Sequence, residues 1–214
     1  MMSFPHQNTF NAIRDALWSP TTAGASVLVG SGFSRNADKA RPDATEMPTW
    51  SDLAASMYEA LYPPEDGDRR SFTDNPTFEP GSILRLAQEY EASFGEDGLH
   101  SLVRNCVRND YFSPGDKHHR LLRLPWRDIF TTNWDTLLER ARPSIVETGY
   151  DVVRDIADIS NSTTPRIVKL HGCLSRSSRL IFTEGNYSPG FVVRCLGSAC
   201  LAPILPGRAG SAAS

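Results

Sequence analysis

Three short apolar runs in this chain each end abruptly on glycine or on small polar residues. The run VLV at 27–29 leads into GSGFS, IF at 129–130 leads into TTNWD, and IV at 167–168 leads into KLHG. Short apolar runs that alternate with segments of helical periodicity are typical of buried parallel strands. This alternation predicts an α/β fold with a parallel sheet, because parallel strands need long, usually helical, crossovers between them.

Helical periodicity fills the stretches between these strands. The predicted helices are 7–18, 49–62, 81–94, 96–108, 116–124 and 134–141, and the strands after the first are 128–133, 150–155, 165–172 and 179–183. The helices between the first and second strands form an inserted subdomain at about residues 50–125. We therefore divide the chain into a domain at 1–187 and an atypical tail at 188–214.

Composition and charge narrow the classes of function. The 214 residues carry a net charge of −3, and the pI is about 5.9. General nucleic-acid binders and anionic-membrane binders are usually basic, so we expect no nucleic-acid partner and no membrane partner. No apolar run approaches the roughly 20 residues of a spanning helix. The first residues also lack a basic segment followed by an apolar one, so the expected location is the cytoplasm.

The cysteines argue against a metal site. The four cysteines, at 106, 173, 195 and 200, include no CxxC pair, which is the spacing that a four-cysteine zinc site needs. A disulfide framework is disfavoured in a chain this long with so few cysteines. Cys173 follows a His-Gly pair, and a buried thiol is a simpler interpretation of it than a nucleophile. We therefore expect no zinc.

Each strand-end motif has a simple structural explanation when it is taken alone. The loop at 30–34, GSGFS, suits close approach of the backbone to phosphate, but it also suits a plain strand–helix turn. Arg35 stands where the dinucleotide fingerprint of dehydrogenases has its third glycine. Asn133 is a natural helix N-cap, and Asp135 favours the positive end of a helix. A single histidine such as His171 is more often structural than catalytic.

Taken together, the three motifs change this interpretation. GSGFS, TTNWD and KLHG each close a predicted strand. The carboxyl ends of parallel strands share one edge of the sheet, which is where open α/β sheets bind their ligands. A phosphate cradle, an amide and an imidazole are therefore expected to converge on one ligand.

The order GSGFS, MPTW, TTNWD and KLHG resembles the sirtuin-like family. It resembles most closely the bacterial branch found as N-terminal effector domains of antiphage-defence proteins, and the resemblance covers roughly residues 20–187. It implies NAD+ binding in a Rossmann-like parallel sheet with an inserted helical module. NAD+ is then the substrate.

The resemblance also implies roles for individual residues. Asn133 and His171 match the family's catalytic amide and imidazole. The loop glycines would hold the pyrophosphate and ribose through their backbone, and the loop serines through their hydroxyls. The residues expected to contact NAD+ are Gly30, Ser31, Gly32, Phe33, Ser34, Trp50, Thr132 and Asp135.

Two departures from the deacylase sirtuins favour plain NAD+ cleavage. The zinc-binding cysteine pairs that should follow KLHG are absent, and the stretch CLSRSSRLIFTE is too short to hold them. Thr49 and Ser51 flank Trp50 where the deacylases carry an acidic residue and an arginine. Both departures weaken an assignment as a protein deacylase.

The expected function is therefore an NAD+ glycohydrolase that releases nicotinamide and ADP-ribose in antiphage defence. Nicotinamide is already a cationic leaving group, so its expulsion needs no general acid. The neutral imidazole of His171 suits a base near pH 7, and the amide of Asn133 suits orientation of water or ribose hydroxyls. The alternatives are a non-catalytic NAD or ADP-ribose binding module, which needs neither residue, and a deacylase. Because free NAD+ hydrolysis is toxic, the resemblance also implies restraint by a homo-oligomer or a separate sensor component.

The tail differs in composition from the rest of the chain. Of the 30 residues from 185 to 214, 17 are Gly, Pro, Ala or Ser, and no carboxylate follows Glu184. A sirtuin-like sheet needs further helices and strands here, including a turn that holds the adenosine ribose. We therefore expect a poorly ordered tail and a fold truncated on its C-terminal side. The hypothesis of a shifted reading frame near Tyr187 accounts for both and is tested by the coding nucleotides.

Overall fold

The protein is described by a computed structural model at residues 6–18, 24–63, 80–142, 149–174 and 180–183. The α-helices of these residues are Gln7–Trp18 (α1), Ser31–Ser34 (α2), Trp50–Leu61 (α3), Pro80–Val107 (α4), Asp116–Leu122 (α5) and Leu137–Ala141 (α6). The strands are Ser26–Val29 (β1), Asp38–Lys39 (β2), Phe112–Ser113 (β3), Asp128–Thr131 (β4), Asp151–Val153 (β5) and Arg166–Lys169 (β6). The 3₁₀ helices are Asn109–Tyr111 and Ile156–Asn161.

Four of these strands form a parallel sheet in the order β1-β4-β6-β5. The register pairs Val29 with Thr131 and Thr131 with Lys169, so the strands that precede the three motifs end side by side. The predicted α/β class with a parallel, Rossmann-like sheet is confirmed. GSGFS, TTNWD and KLHG consequently leave the sheet at one edge.

The two central strands are buried on both faces. All four residues of β4 and all four of β6 are buried. Ile129 and Ile167 pack on one face with Leu122 of α5 and Leu138 of α6. The opposite face carries a second cluster, formed by Phe130, Val153, Val168 and Leu170.

The edge strand β1 differs from its prediction as a buried strand. It pairs in parallel with β4, but the side chain of Leu28 is 65% exposed. On α1, which precedes β1, Phe10, Ile13 and Trp18 are also exposed, whereas Leu17 is buried. The helical spacing of these residues therefore predicts the helix correctly, but most of its apolar residues contact water.

A helical module lies between β1 and β4 in the chain. Helix α3 begins at a capping box in which Thr49 and Asp52 bond each other's backbone N–H groups, an arrangement that satisfies two otherwise unpaired donors. Helix α4 covers the two predicted helices 81–94 and 96–108, and it is broken between them at Gly95, whose φ is 76°. The module packs on the sheet domain through one cluster that includes Met57 and Val103 with Trp134.

A two-stranded antiparallel ribbon of β2 and β3 joins the segment after GSGFS to the start of α5. The sequence does not predict this ribbon, because two-residue strands carry no detectable periodicity. Gly115 follows β3 and packs so closely that a Cβ there would lie 2.2 Å from the carbonyl oxygen of Asn36. The close approach explains why this position is glycine.

Two predicted elements are corrected. The helix expected at 134–141 begins at Leu137, because residues 132–136 form an irregular turn. The strand predicted at 179–183 is irregular at 180–183, where no described strand pairs with it and Leu180, Ile181 and Phe182 are buried. The predicted tail at 188–214 and the domain boundary at 187 lie outside the described residues. No helix among the described residues is long and apolar enough to cross a bilayer.

A buried ion pair joins β4 to β6 at the amino edge of the sheet. Asp128 is fully buried, and its carboxylate accepts from Nε of Arg166 at 2.7 Å and from Nε of Arg127 at 2.8 Å. Two charge-assisted bonds offset the cost of removing this carboxylate from water. The pair therefore fixes the strand register at the end of the sheet opposite to the three motifs.

Replacing Asp128 with alanine is expected to destabilise the protein by about 3 to 5 kcal/mol, because Arg166 is left buried without its partner. Chemical denaturation measures the change in the free energy of unfolding. The control is Asp15→Ala, which breaks an exposed ion pair with Arg14 and should change that free energy by less than about 0.5 kcal/mol. Equal effects of the two substitutions would contradict the structural role of Asp128.

Candidate functional site

The side chain of Asn133 joins the ends of β1 and β4. Its Nδ2 donates to the carbonyl oxygen of Gly30 at 2.9 Å and to Oγ of Ser34 at 2.7 Å. A carbonyl oxygen only accepts, so the NH₂ group must face Gly30 and the amide oxygen must face away. Oδ1 of Asn133 is buried, and no described residue donates to it.

A polar chain continues from Asn133 into α6. The hydroxyl of Ser34 donates to Oδ2 of Asp135 at 2.6 Å, and Oδ1 of Asp135 accepts from the backbone N–H of Leu137 at 3.0 Å. The interpretation of Asn133 as a helix cap is therefore wrong, because Asp135 serves the first turn of α6. Asn133 lies two residues before Asp135, and its amide oxygen remains available to accept from another donor.

A pocket opens between this turn and the helical module. Its lining includes six of the ten residues predicted for the site, namely Ser31, Ser34, Trp50, Thr132, Asn133 and Asp135. The other lining residues are Met47, Pro48, Thr49, Leu53, Cys106, Val107 and Trp134. The pocket therefore has one polar wall from the strand ends and one largely apolar wall from the module.

Four predicted site residues are not on this lining. Gly30 and Gly32 belong to the loop that frames the pocket, but their atoms do not line it. Phe33 packs instead on the core beneath the sheet, with its ring 5.0 Å from that of His118. His118 is buried, and its Nδ1 accepts from the N–H of Gly115, the residue that caps α5, at 3.2 Å.

His171 is the fourth predicted site residue that is not on the lining, and it lies behind Trp50. The Trp50 ring lines the pocket, and its centroid is 5.9 Å from that of the imidazole. The main-chain oxygen of His171 accepts from Nε1 of Trp134 at 2.9 Å and from the N–H of Ile181 at 3.1 Å. Gly172 follows with φ of 83°, a left-handed conformation that favours glycine. These contacts fix the backbone that carries the imidazole.

The imidazole of His171 is neutral over the whole physiological range. Its side chain is almost wholly buried, and this burial lowers its pKa to about 4. The ordinary value of about 6.5 would leave a fraction protonated at neutral pH. The structure therefore places an uncharged imidazole beside the aromatic wall of the pocket.

Two of three mutually packed aromatic rings, Trp50 and Trp134, lie on this wall, and the third, Phe182, packs against both of them. Trp50 lies 5.0 Å from Trp134 and 5.3 Å from Phe182, and Trp134 lies 4.8 Å from Phe182, measured between ring centroids. Such tilted and edge-to-face contacts each add about 0.5 to 1.5 kcal/mol beyond burial. The sequence predicts Phe182 as a residue of a regular strand and gives no signal of its contacts with the two tryptophans.

Several apolar residues of the helical module were also missed as lining residues. Met47 and Leu53 flank the predicted aromatic Trp50, and Cys106 and Val107 end α4. The MPTW motif was the available signal for Met47. Nothing in the periodicity of α4 distinguishes residues that face a pocket from residues that face a core.

The described residues contain no group of three or more His, Cys, Asp or Glu side chains arranged to hold a metal ion. The candidate site is built from amide, hydroxyl, carboxylate, imidazole and aromatic groups.

Comparison with known proteins gives one family match. A family model described as "SIR2-like domain" matches residues 127–193, which is about a third of the chain. The matched segment contains the TTNWD and KLHG motifs, with β4, β5 and β6, and it excludes GSGFS and the helical module. No curated protein matches the chain significantly. The chain is thus similar to a SIR2-like domain over the part that carries Asn133 and His171.

Burial of His171 predicts a loss of stability in acid. The folded state keeps the imidazole neutral down to about pH 4, whereas the unfolded chain protonates it below about pH 6.5. The unfolded state therefore binds more protons between these values, and stability falls by up to about 3 kcal/mol as the pH is lowered through them. Denaturation at a series of pH values measures this loss.

The variant His171→Gln should lose most of that pH dependence, while His6→Gln, at an exposed position, should retain it. A His171→Gln variant with the same acid-induced loss of stability as the wild type would disprove the burial argument.

Proposed function

We propose that this chain is an NAD+ glycohydrolase, which cleaves NAD+ to nicotinamide and ADP-ribose. The observation that carries the proposal is the buried Oδ1 of Asn133, an acceptor to which no described residue donates. Buried polar atoms are nearly always hydrogen-bonded. A water or a ribose hydroxyl in the pocket is the donor that this oxygen fits.

The loop glycines support a ligand at the same edge. Neither Gly30 nor Gly32 has a positive φ, and a Cβ at Gly32 would meet no atom within 4 Å. Neither backbone strain nor close packing in the structure therefore requires glycine at these positions. Close approach of a phosphate or ribose to the backbone explains them better than a tight turn does.

The reaction requires little proton transfer by the protein. The bond between C1′ of the ribose and the nicotinamide nitrogen breaks, and its electron pair neutralises the departing pyridinium ring. Water bonds to C1′ of the oxocarbenium-like centre and loses one proton, which gives ADP-ribose. Water that attacks such a carbon becomes acidic as the new bond forms, so a weak, neutral base suffices to accept its proton. We assign this base to His171, which requires the Trp50 ring to move when NAD+ binds, because that ring separates the imidazole from the pocket.

Asn133 acts on the same step by orientation. Its NH₂ group is committed to Gly30 and Ser34, so Oδ1 is left as a fixed acceptor for the attacking water or for a ribose hydroxyl. Fixing a reacting water in this way removes part of the entropic cost of the reaction. Trp50 and Trp134 supply a flat apolar surface for the planar nicotinamide ring.

The similarity to a SIR2-like domain supports an NAD-related function in general. The role in antiphage defence, the cytoplasmic location, and restraint by a homo-oligomer or a separate sensor belong to the same proposal. They rest on the motif resemblance, in which the order GSGFS, MPTW, TTNWD and KLHG is the specific feature.

Substituting either Asn133 or His171 with alanine is expected to lower the rate of NAD+ consumption by at least about 100-fold. Far-UV circular dichroism should remain that of the wild type. Chromatographic quantification of nicotinamide release measures the rate.

The matched controls are Asn105→Ala and His6→Ala, which remove an exposed asparagine and an exposed histidine. Both should retain the wild-type rate. If a folded Asn133→Ala or His171→Ala variant also consumed NAD+ at the wild-type rate, the role assigned to that residue would be wrong.

Incubation of the wild-type chain with NAD+, with and without an acetylated peptide, distinguishes the three functions. Nicotinamide release that is independent of peptide is expected. Binding without release would instead indicate a non-catalytic module, and release only with peptide would indicate a deacylase.

The pH profile is expected to reflect the pKa of about 4 that burial gives His171. Because kcat/KM reports the ionisations of the free enzyme, it should stay nearly constant between pH 7 and about 5.5 and fall only nearer to pH 4. An acid limb centred near pH 6.5 would contradict a buried, neutral His171 as the base. Initial rates at fixed ionic strength measure the profile.

A further inference from the structure

A buried lysine lies beneath the turn that carries Asn133. Lys169 is the last residue of β6, and its side chain is 1% exposed. Its Nζ lies 3.3 Å from Oε1 of Glu139 on α6, whose side chain is 8% exposed. The same Nζ donates to the main-chain carbonyl oxygen of Asp135. The ammonium thus contacts both the helix and the turn that precedes it.

Stability alone does not account for charges in this position. Replacing a buried ion pair by apolar residues of similar volume is often neutral or stabilising. The pair is also incompletely satisfied, because no described residue donates to Oε2 of Glu139. Because the ion pair with Glu139 does not by itself explain a buried lysine, we look for the role of Lys169 in its other contact, the hydrogen bond to the carbonyl oxygen of Asp135.

The turn needs external partners because it is neither strand nor helix. Residues 132–135 lie outside regular strand and helix, so their buried backbone groups must find other partners. The carbonyl oxygen of Trp134 accepts from the N–H of Leu174 at 3.0 Å. The N–H of Asn133 donates to Oγ1 of Thr131, and the N–H of Thr136 donates to Oδ1 of Asn109. Lys169 supplies the partner for Asp135, between these two points.

We propose that Lys169 is a positioning residue for the hydrolysis reaction, and that it acts through the Asp135 carbonyl on the turn that presents Asn133. Lys169 also lies two residues before His171 on the same strand end. One side chain thereby links the segment that holds the base to the segment that holds the amide. This inference rests on the proposed function for its catalytic consequence, but the link itself is a property of the fold.

The test uses the double variant Lys169→Met/Glu139→Gln, which removes both charges with little change in volume. A matched control is Arg166→Met/Asp128→Asn, which removes the buried ion pair between the same two strands at the opposite edge of the sheet. Two quantities are measured for each variant. They are amide hydrogen exchange of residues 131–137 and the separate values of kcat and KM for NAD+.

The Lys169 double variant is expected to exchange the amides of 131–137 at least about ten-fold faster than the wild type, with the rest of the sheet unchanged. Its kcat should fall by about 10- to 100-fold with KM within about two-fold, because misplacement by about 1 Å costs up to about 100-fold in rate. The control should leave kcat unchanged, and any faster exchange that it causes should be shared by all four strands of the sheet rather than concentrated at 131–137.

Unchanged exchange at 131–137 in the Lys169 double variant would overturn the proposal, as would a kcat equal to that of the wild type. If the wild type itself does not turn over NAD+, the proposed function fails, and the exchange measurement still decides whether Lys169 holds the turn.

If the double variant does not fold, Lys169→Gln carries the same test. Its amide nitrogen stands one bond short of the Nζ position, so it keeps a polar group towards Glu139 but does not reach the Asp135 carbonyl. Faster exchange at 131–137 is again expected, and wild-type exchange there would contradict the role of Lys169.

Discussion

The candidate site depends on one side-chain amide that joins two strand ends. Asn133 donates to the carbonyl oxygen of Gly30 and to the hydroxyl of Ser34, and Ser34 passes the chain of hydrogen bonds on to Asp135. A neutral amide suits this place, because it satisfies two acceptors without adding a buried charge. Its Oδ1 atom accepts no hydrogen bond from a described residue. This oxygen is therefore available to accept a hydrogen bond from a ligand in the pocket.

The second constraint is the contact between the sheet edge and the helical module. Trp134 belongs to the turn, Trp50 to the start of α3 and Phe182 to the segment after KLHG, and their rings contact one another. The cluster joins three parts of the chain that are distant in sequence, and two of its rings, Trp50 and Trp134, line the pocket. It also shields His171 from water, which is why the imidazole stays neutral and its pKa falls to about 4.

The parallel sheet could be predicted from the sequence, because buried central strands leave apolar runs that end on recognisable motifs. Asn133 and His171 could be singled out for the same reason. The role of Lys169 could not, since a lysine at a strand end usually lies in solvent, and only the fold shows that Asp135 and Glu139 meet it. The ribbon of β2 and β3 and the irregular segment at 180–183 depend on tertiary contacts that periodicity does not record.

Proton NMR of intact NAD+ in the presence of the wild-type chain and no other substrate tests the proposed hydrolysis most directly. Loss of the signal of the nicotinamide-ribose C1′ proton is expected, with equal appearance of free nicotinamide over many turnovers. Persistence of intact NAD+, with its signals broadened by binding but never replaced by those of nicotinamide, would contradict it.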